Sequence, residues 1–198
     1  DQPTEPELAQ TGPDLQDQLP RSILEAGPTN QDLNLEVISG HYPEDLKGHV
    51  FIVHPLPYED GSAVLLGPGV LNRIDLEGSP TIKRRLLDTP CHYLDAAVTQ
   101  DNPEEFDNKD LLRFSWTYGK RNFPNTAFMV MENRLFVTSD AGRPWEVDTN
   151  TLSLITPVGH LEHWKGPIPE LLSTFIDYPF PVYMTTAHPG YDPHTGEC

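Results

Sequence analysis

NTAFMVMENRLFVTSDAGRPWEVDTNTLSLI, residues 125–155, is the stretch whose reading decides the fold. Ala127 to Met131 and Arg134 to Thr138 are short runs rich in apolar side chains, separated by Glu132-Asn133. Trp145 to Asp148 and Thr151 to Ile155 repeat the pattern on either side of Thr149-Asn150, and Gly142-Arg143-Pro144 breaks the chain between the two pairs. Four strands at spacings near ten residues, joined by two-residue turns, predict an antiparallel meander. Such a meander suits a propeller blade or a β-sandwich equally well, and spacing alone does not choose between them.

The same grammar continues toward the N-terminus. Val70, Ile74 and Leu76 alternate with Arg73, Asp75 and Glu77 before Gly78-Ser79-Pro80 turns the chain into Ile82 to Leu87, which predicts a hairpin. Ahead of it, the turn-rich Gly40 to Gly48 leads into a strand from His49 to Val53, and Leu33 to Ile38 is the first apolar cluster. Residues 1–31 are rich in proline, glutamine and acidic side chains, with Arg21 the one base. A segment of that kind buries too little apolar surface to offset its chain entropy, so an extended arm is expected over 1–31 and a single folded domain over 32–198. Asp101 to Asp110 reads as a solvated acidic loop. No long amphipathic helix is predicted, although Pro169 to Phe175 has room for one or two helical turns.

Charge and composition exclude several classes of function. The chain has 198 residues, with 13 basic against 30 acidic side chains and a formal charge of −17. Nucleic acid would be repelled, and so would anionic lipid. No apolar run approaches the roughly 18 residues of a spanning helix, and the N-terminus has neither a basic nor an apolar leader region. Cys91 and Cys198 are too few for a disulfide framework and point to a reducing compartment.

The C-terminal stretch Thr185 to Glu197 reads TTAHPGYDPHTGE. Tyr183 and Met184 read as a strand end, Pro189-Gly190 stops it, and Asp192-Pro193 with Thr195-Gly196 forms a turn. This leaves His188 at a strand end, where a rigid scaffold can hold an imidazole toward a cavity.

Three segments in this order carry a family resemblance. The run at 185–197 resembles the "AHP…DP.TGE" segment of the carotenoid cleavage oxygenase family, which includes apocarotenoid and lignostilbene dioxygenases and a retinoid isomerase. Residues 125–155 resemble that family's "NT.v..h.gkLlaLwEgg.PyelDp.TLet.g" blade through Asn125-Thr126, Leu135, Gly142, Pro144, Asp148 and Thr151-Leu152. Gly40 to Val53 is similar to its opening "G.iP.dL.G.yfR" element. The resemblance covers residues 33 to 198 and implies an all-β fold, the first two to three blades of a seven-bladed β-propeller whose remainder lies outside this chain.

What the resemblance implies about chemistry is specific. His188 matches the first of four histidines that bind a non-haem Fe(2+), and Asp140 stands where the family has a glutamate that hydrogen-bonds a ligand histidine. Aspartate keeps the charge and shortens the reach by one methylene. Phe175, Tyr178, Phe180 and Tyr183, close in sequence to His188, are the expected walls of an apolar substrate tunnel. The implied reaction is dioxygenase cleavage of a conjugated double bond in a carotenoid, apocarotenoid or stilbene-like substrate by molecular oxygen, giving carbonyl products. Expected with it are a cytoplasmic location and, for uptake of an apolar polyene, peripheral membrane contact. The chain alone is expected to hold no iron and to be inactive.

Two departures favour a second reading, a divergent propeller that binds partners without catalysis. The family's polar "RnGPnp" and "fdGDGm.h" motifs are here Ile52-Val53-His54-Pro55-Leu56-Pro57 and Val64 to Asn72, which keep the turns and lose the polar side chains. Other histidines compete for a metal role: His160 and His163 stand three apart, and His194 follows His188 by six.

Overall fold

Glu132 and Asn133 both take left-handed backbone, with φ of 48° and 64°. That is the conformation a two-residue hairpin turn needs for its strands to keep their natural twist. The computed structural model describes residues 27–56, 67–109, 112–166, 178–179 and 183–197. The turn folds β8 (Ala127–Met131) onto β9 (Arg134–Thr138), with Val130 opposite Leu135. β10 (Trp145–Val147) and β11 (Leu154–Pro157) complete a four-stranded antiparallel sheet in the order β11-β10-β9-β8.

The fourth strand starts later than Thr151. Asp148 Oδ1 accepts hydrogen bonds from the Asn150 and Thr151 N–H groups at 2.9 and 2.7 Å. Leu152 then turns into the core at a φ of 62°, 1% exposed. The expected strand residues Thr151 to Ser153 are therefore consumed by a capped turn.

A second sheet has the order β1-β4-β3-β2, all antiparallel. β2 (His49–Pro55) and β3 (Gly69–Asp75) pair along seven positions, β4 (Thr81–Leu86) pairs with β3, and β1 (Gln31–Asn34) adds to β4. The two sheets pack through Leu71, Leu87, Leu135, Val137, Val147 and Leu152, with Phe51 set edge-on to Phe128 at 6.1 Å. Polar ties lock them in place. Arg73 Nη1 donates to Thr149 O at 2.8 Å, and Lys83 Nζ donates to Asn150 O at 2.7 Å. A third sheet, β5 (Asp107–Lys109), β6 (Leu112–Ser115) and β7 (Gly119–Lys120), lies between the two in sequence.

One helix corrects the sequence reading. α1 runs from Pro90 to Asp101 where no helix was expected, and Asp107 begins a strand inside the supposed acidic loop, whose Phe106 is 4% exposed. Local chemistry does specify the helix start: Thr89 is the N-cap, its hydroxyl accepting from His92 N–H at 3.1 Å, and Pro90 occupies the first turn. The buried residues of α1 are Cys91 and Asp95, so no apolar stripe announces it. The helical turns expected at Pro169 to Phe175, most of the expected arm, and Val64 to Leu66 lie outside the described residues.

Candidate metal ligand and an adjoining basic cavity

His188 is reached from β9 by a run of main-chain ties. After Thr138 the chain continues through Ser139 to Gly142, and Tyr183 to Ala187 lies along it. Gly142 N–H donates to Tyr183 O at 2.7 Å, Ala141 bridges Met184, and Thr185 N–H donates to Asp140 O at 3.2 Å. The Thr185 hydroxyl bonds Ser139 O at 2.7 Å, and the Thr138 hydroxyl donates to Ala187 O. His188 follows at once, its imidazole exposed.

Asp140 acts on the main chain that carries His188. Its Oδ1 accepts from the Ala187 N–H at 3.0 Å. A shorter carboxylate at this position thus fixes the residue before the histidine and bonds the backbone beside the imidazole, not its ring.

Gly142 makes this juxtaposition possible. Its φ is 91°, and a Cβ there would lie 1.9 Å from Asn122 Nδ2. Gly142→Ala should destabilise the protein by roughly 1–3 kcal/mol, the range for a residue forced into sparsely populated backbone. Denaturant titration of the variant measures this, and an unchanged midpoint would show that the close approach is not required.

The remaining expected site residues are dispersed. Tyr178 sets its ring edge-on to Phe114 at 6.1 Å and covers Gly119, while Tyr183 is 8% exposed beside Trp164. Phe175 and Phe180 lie outside the described residues. His160 and His163 bring their rings to 5.4 Å across a short 3-10 helix, Leu161–His163, and His194 sits in a turn where its backbone N–H donates to Asp192 Oδ1 at 2.8 Å. Among the described residues no three His, Cys, Asp or Glu side chains stand close enough to hold a metal. Set against four imidazoles on iron, the described residues do not make a centre, and His188 stands as a candidate for one ligand.

Sequence reasoning missed a buried ionic cluster on the other side of Asp140. Arg113 grips Asp95 with both Nε and Nη2 at 2.8 Å, and Arg121 Nε donates to Asp95 Oδ2. Asp95, Arg113 and Arg121 are 5%, 6% and 3% exposed. Burial pushes the Asp95 carboxyl up, but the Arg113 hydrogen bonds and the charges of Arg121 and Arg113 outweigh it, and its pKa lies below the ordinary value. The Arg121 guanidinium lies between the Phe106 and Phe123 rings, at 5.4 and 5.0 Å, and its Nη1 reaches Cys91 Sγ at 2.6 Å. Burial pushes the Cys91 thiol up, so the sulfur is an ordinary protonated thiol.

Of these side chains, Arg113, Arg121 and Phe123 border a cavity of about 370 Å³. Val53, Pro55, Phe123 and Ala141 give it apolar wall. Arg113, Lys120, Arg121, His54, Asn125, Thr126, Ser139 and Asp140 give it polar groups. Tyr178 and Tyr183 do not line it.

Comparison with solved structures identifies the architecture. A variant of Synechocystis apocarotenoid oxygenase matches with a TM-score of 0.60 at 17% identity, over 88% of this chain and 36% of that one. A second variant gives 0.59 at 16% identity, over 91% and 36%, and the cobalt-substituted enzyme gives 0.52 at 18%, over 68% and 30%. The antiparallel sheets are therefore a partial β-propeller, as the resemblance implied, and the chain spans about a third of the length of these relatives. No protein of the curated set matches. The family model described as retinal pigment epithelial membrane protein matches residues 24–198, and the chain belongs to that family, the carotenoid cleavage oxygenases. No helix among the described residues is long and apolar enough to cross a membrane.

Proposed function

We propose that this chain is the N-terminal part of a non-haem iron dioxygenase that cleaves a conjugated carbon–carbon double bond of a carotenoid, apocarotenoid or stilbene-like substrate. The observation that carries the reading is the pinning of Thr185–Ala187 against Ser139–Gly142, which sets His188 at the end of a fixed segment in a chain of this family. The apocarotenoid oxygenase that shares its fold takes cobalt as a substituted metal, which supports a metal centre in the complete propeller. His188 supplies one imidazole, and three more come from outside this chain.

Iron(II) held by imidazoles with open positions supplies the binding and activation of oxygen. The residues of this chain do the positioning. Asp140 and Thr185 fix the main chain that leads into His188, which supports a preset starting point for its imidazole. The apolar walls Val53, Pro55 and Phe123 would take the hydrocarbon body of a substrate by excluding water from it. Phe175, Tyr178, Phe180 and Tyr183 remain tunnel walls in this reading only if the rest of the propeller folds over them.

The full-length protein, given iron, a polyene or stilbene, and isotopically labelled molecular oxygen, should yield two carbonyl products, each carrying one labelled atom. Unlabelled products, or no cleavage across both substrate types by iron-loaded protein, would favour the non-catalytic propeller. One feature supports that alternative: Gly67 to Leu71, where the polar motif is missing, is packed as core, with Val70 and Leu71 fully buried.

A further inference from the structure

The cavity beside Asp140 has a charge that the chain as a whole does not. In a protein with 30 acidic and 13 basic side chains, its wall presents Arg113, Arg121 and Lys120. The opposing carboxylates are Asp95, which lies behind the two guanidinium groups, and Asp140 on the wall. Among the described residues, three cations against two carboxylates leave about one positive charge in a half-open space that also has apolar wall.

Two of the cations have donors to spare. Arg121 commits Nε to Asp95 and Nη1 to Cys91, but its Nη2 is buried and has no hydrogen-bond partner among the described residues. A buried guanidinium nitrogen left unpaired is costly, and native proteins satisfy such groups with a partner, water or ligand. Lys120 is half-buried and forms no ion pair with any described carboxylate. Burial lowers its pKa, and the charge of Asp140, which is not in contact with it, opposes that.

We propose that this cavity binds a carboxylate carried on an apolar body, with Arg121 and Lys120 as the anion's donors. A monoanion matches the single surplus charge, whereas a dianionic phosphate would leave a buried negative charge. The space is about a dozen water volumes at roughly 30 Å³ each, far more than a carboxylate fills, and Val53, Pro55, Phe123 and Ala141 offer the surplus to hydrocarbon. That the ligand is also the substrate, an acid-ended polyene or stilbene, rests on the oxygenase reading. The affinity for a carboxylate does not.

The test uses full-length protein freed of metal by chelation and kept anaerobic, so that binding is read without turnover. trans-Cinnamate is titrated calorimetrically against trans-cinnamyl alcohol, which has the same body without the charge. The acid should bind at least about tenfold more tightly, the worth of one charge-assisted hydrogen bond. Lys120→Met, which breaks no ion pair, should remove most of that preference while circular dichroism stays unchanged. Arg121→Lys should weaken the acid more than the alcohol if the variant folds, and the Lys120 variant decides the matter if it does not. Equal affinity for acid and alcohol, no saturable binding of either, an intact preference in Lys120→Met, or equal competition by inorganic phosphate would each overturn the proposal. Protein that binds cinnamate but cleaves no polyene would sink the oxygenase reading and leave the cavity standing. Labelled cleavage products with no acid preference would do the reverse.

Discussion

His188→Ala in the full-length protein is expected to abolish iron retention, read by metal analysis after dialysis, and with it all turnover. The reasoning is one of ligand number. Iron(II) stands low in the divalent affinity order, so a site of neutral imidazoles holds it only with a full, fixed set, and three ligands keep too weak a grip. The fold should survive the change. The imidazole is exposed and fills no part of the core, and the bonds that pin its segment belong to Thr138, Asp140, Gly142, Thr185 and Ala187. Unchanged iron content in a folded His188→Ala protein would remove His188 from the metal site. The non-catalytic propeller, or a local site using His160, His163 and His194, would then be preferred.

Asp95→Asn should be among the most destabilising single changes in this part of the chain, by about 3–5 kcal/mol, because it leaves two buried guanidinium groups facing each other without their shared counter-charge. Chemical denaturation of the full-length variant at neutral pH measures it. The same carboxylate sets an acid limit. Its folded-state pKa is depressed, so its contribution is complete above the unfolded value of about 3.9 and is lost as pH falls below that, through the folded value. Wild-type stability should therefore drop on acidification below about pH 4 more steeply than that of Asp95→Asn, which has no such proton to take up. Parallel acid limbs in the two proteins, or a loss under about 1 kcal/mol at neutral pH, would mean that the arginines do not depend on Asp95.

The parts of this molecule that were legible in the sequence are those whose burial is apolar and whose turns are short. β8 and β9 begin and end where the alternation and Glu132-Asn133 say they should. The strands of the β2-β3-β4 sheet were legible to within two residues: β2 runs to Pro55 instead of Val53, β3 ends at Asp75, and β4 is Thr81–Leu86. Leu152 misled the reading of β11 because an apolar residue in a run was taken for strand, while Asp148 was capping a turn around it. The helix Pro90–Asp101 was illegible for a related reason: its inward face is a charge and a thiol, and periodicity arguments follow apolar residues only. Thr89-Pro90 was the available signal.

The cavity could not be foreseen at all. Nothing in the sequence singles out Arg113 and Arg121 until the fold brings Asp95, 18 and 26 residues away, against them. The resemblance, by contrast, singled out the His188 segment directly, because its motif is local in sequence; the strand end expected at Tyr183-Met184 is a single bridge from Met184 to Ala141. It implied a bond between Asp140 and an imidazole; the bond found is to the backbone beside it.

Helix α1 is joined to the rest of the chain by ion pairs rather than by apolar area, and this separates two measures that usually move together. Unfolding reports itself through the heat capacity and the denaturant slope, and both scale with apolar surface newly exposed to water. Release of Pro90–Asp101 would expose little of it. The helix could therefore detach at a large cost in free energy and yet leave almost no trace in calorimetric curvature or in the urea dependence, so that amide exchange along Leu94 to Asp101 is where its coming and going would be seen.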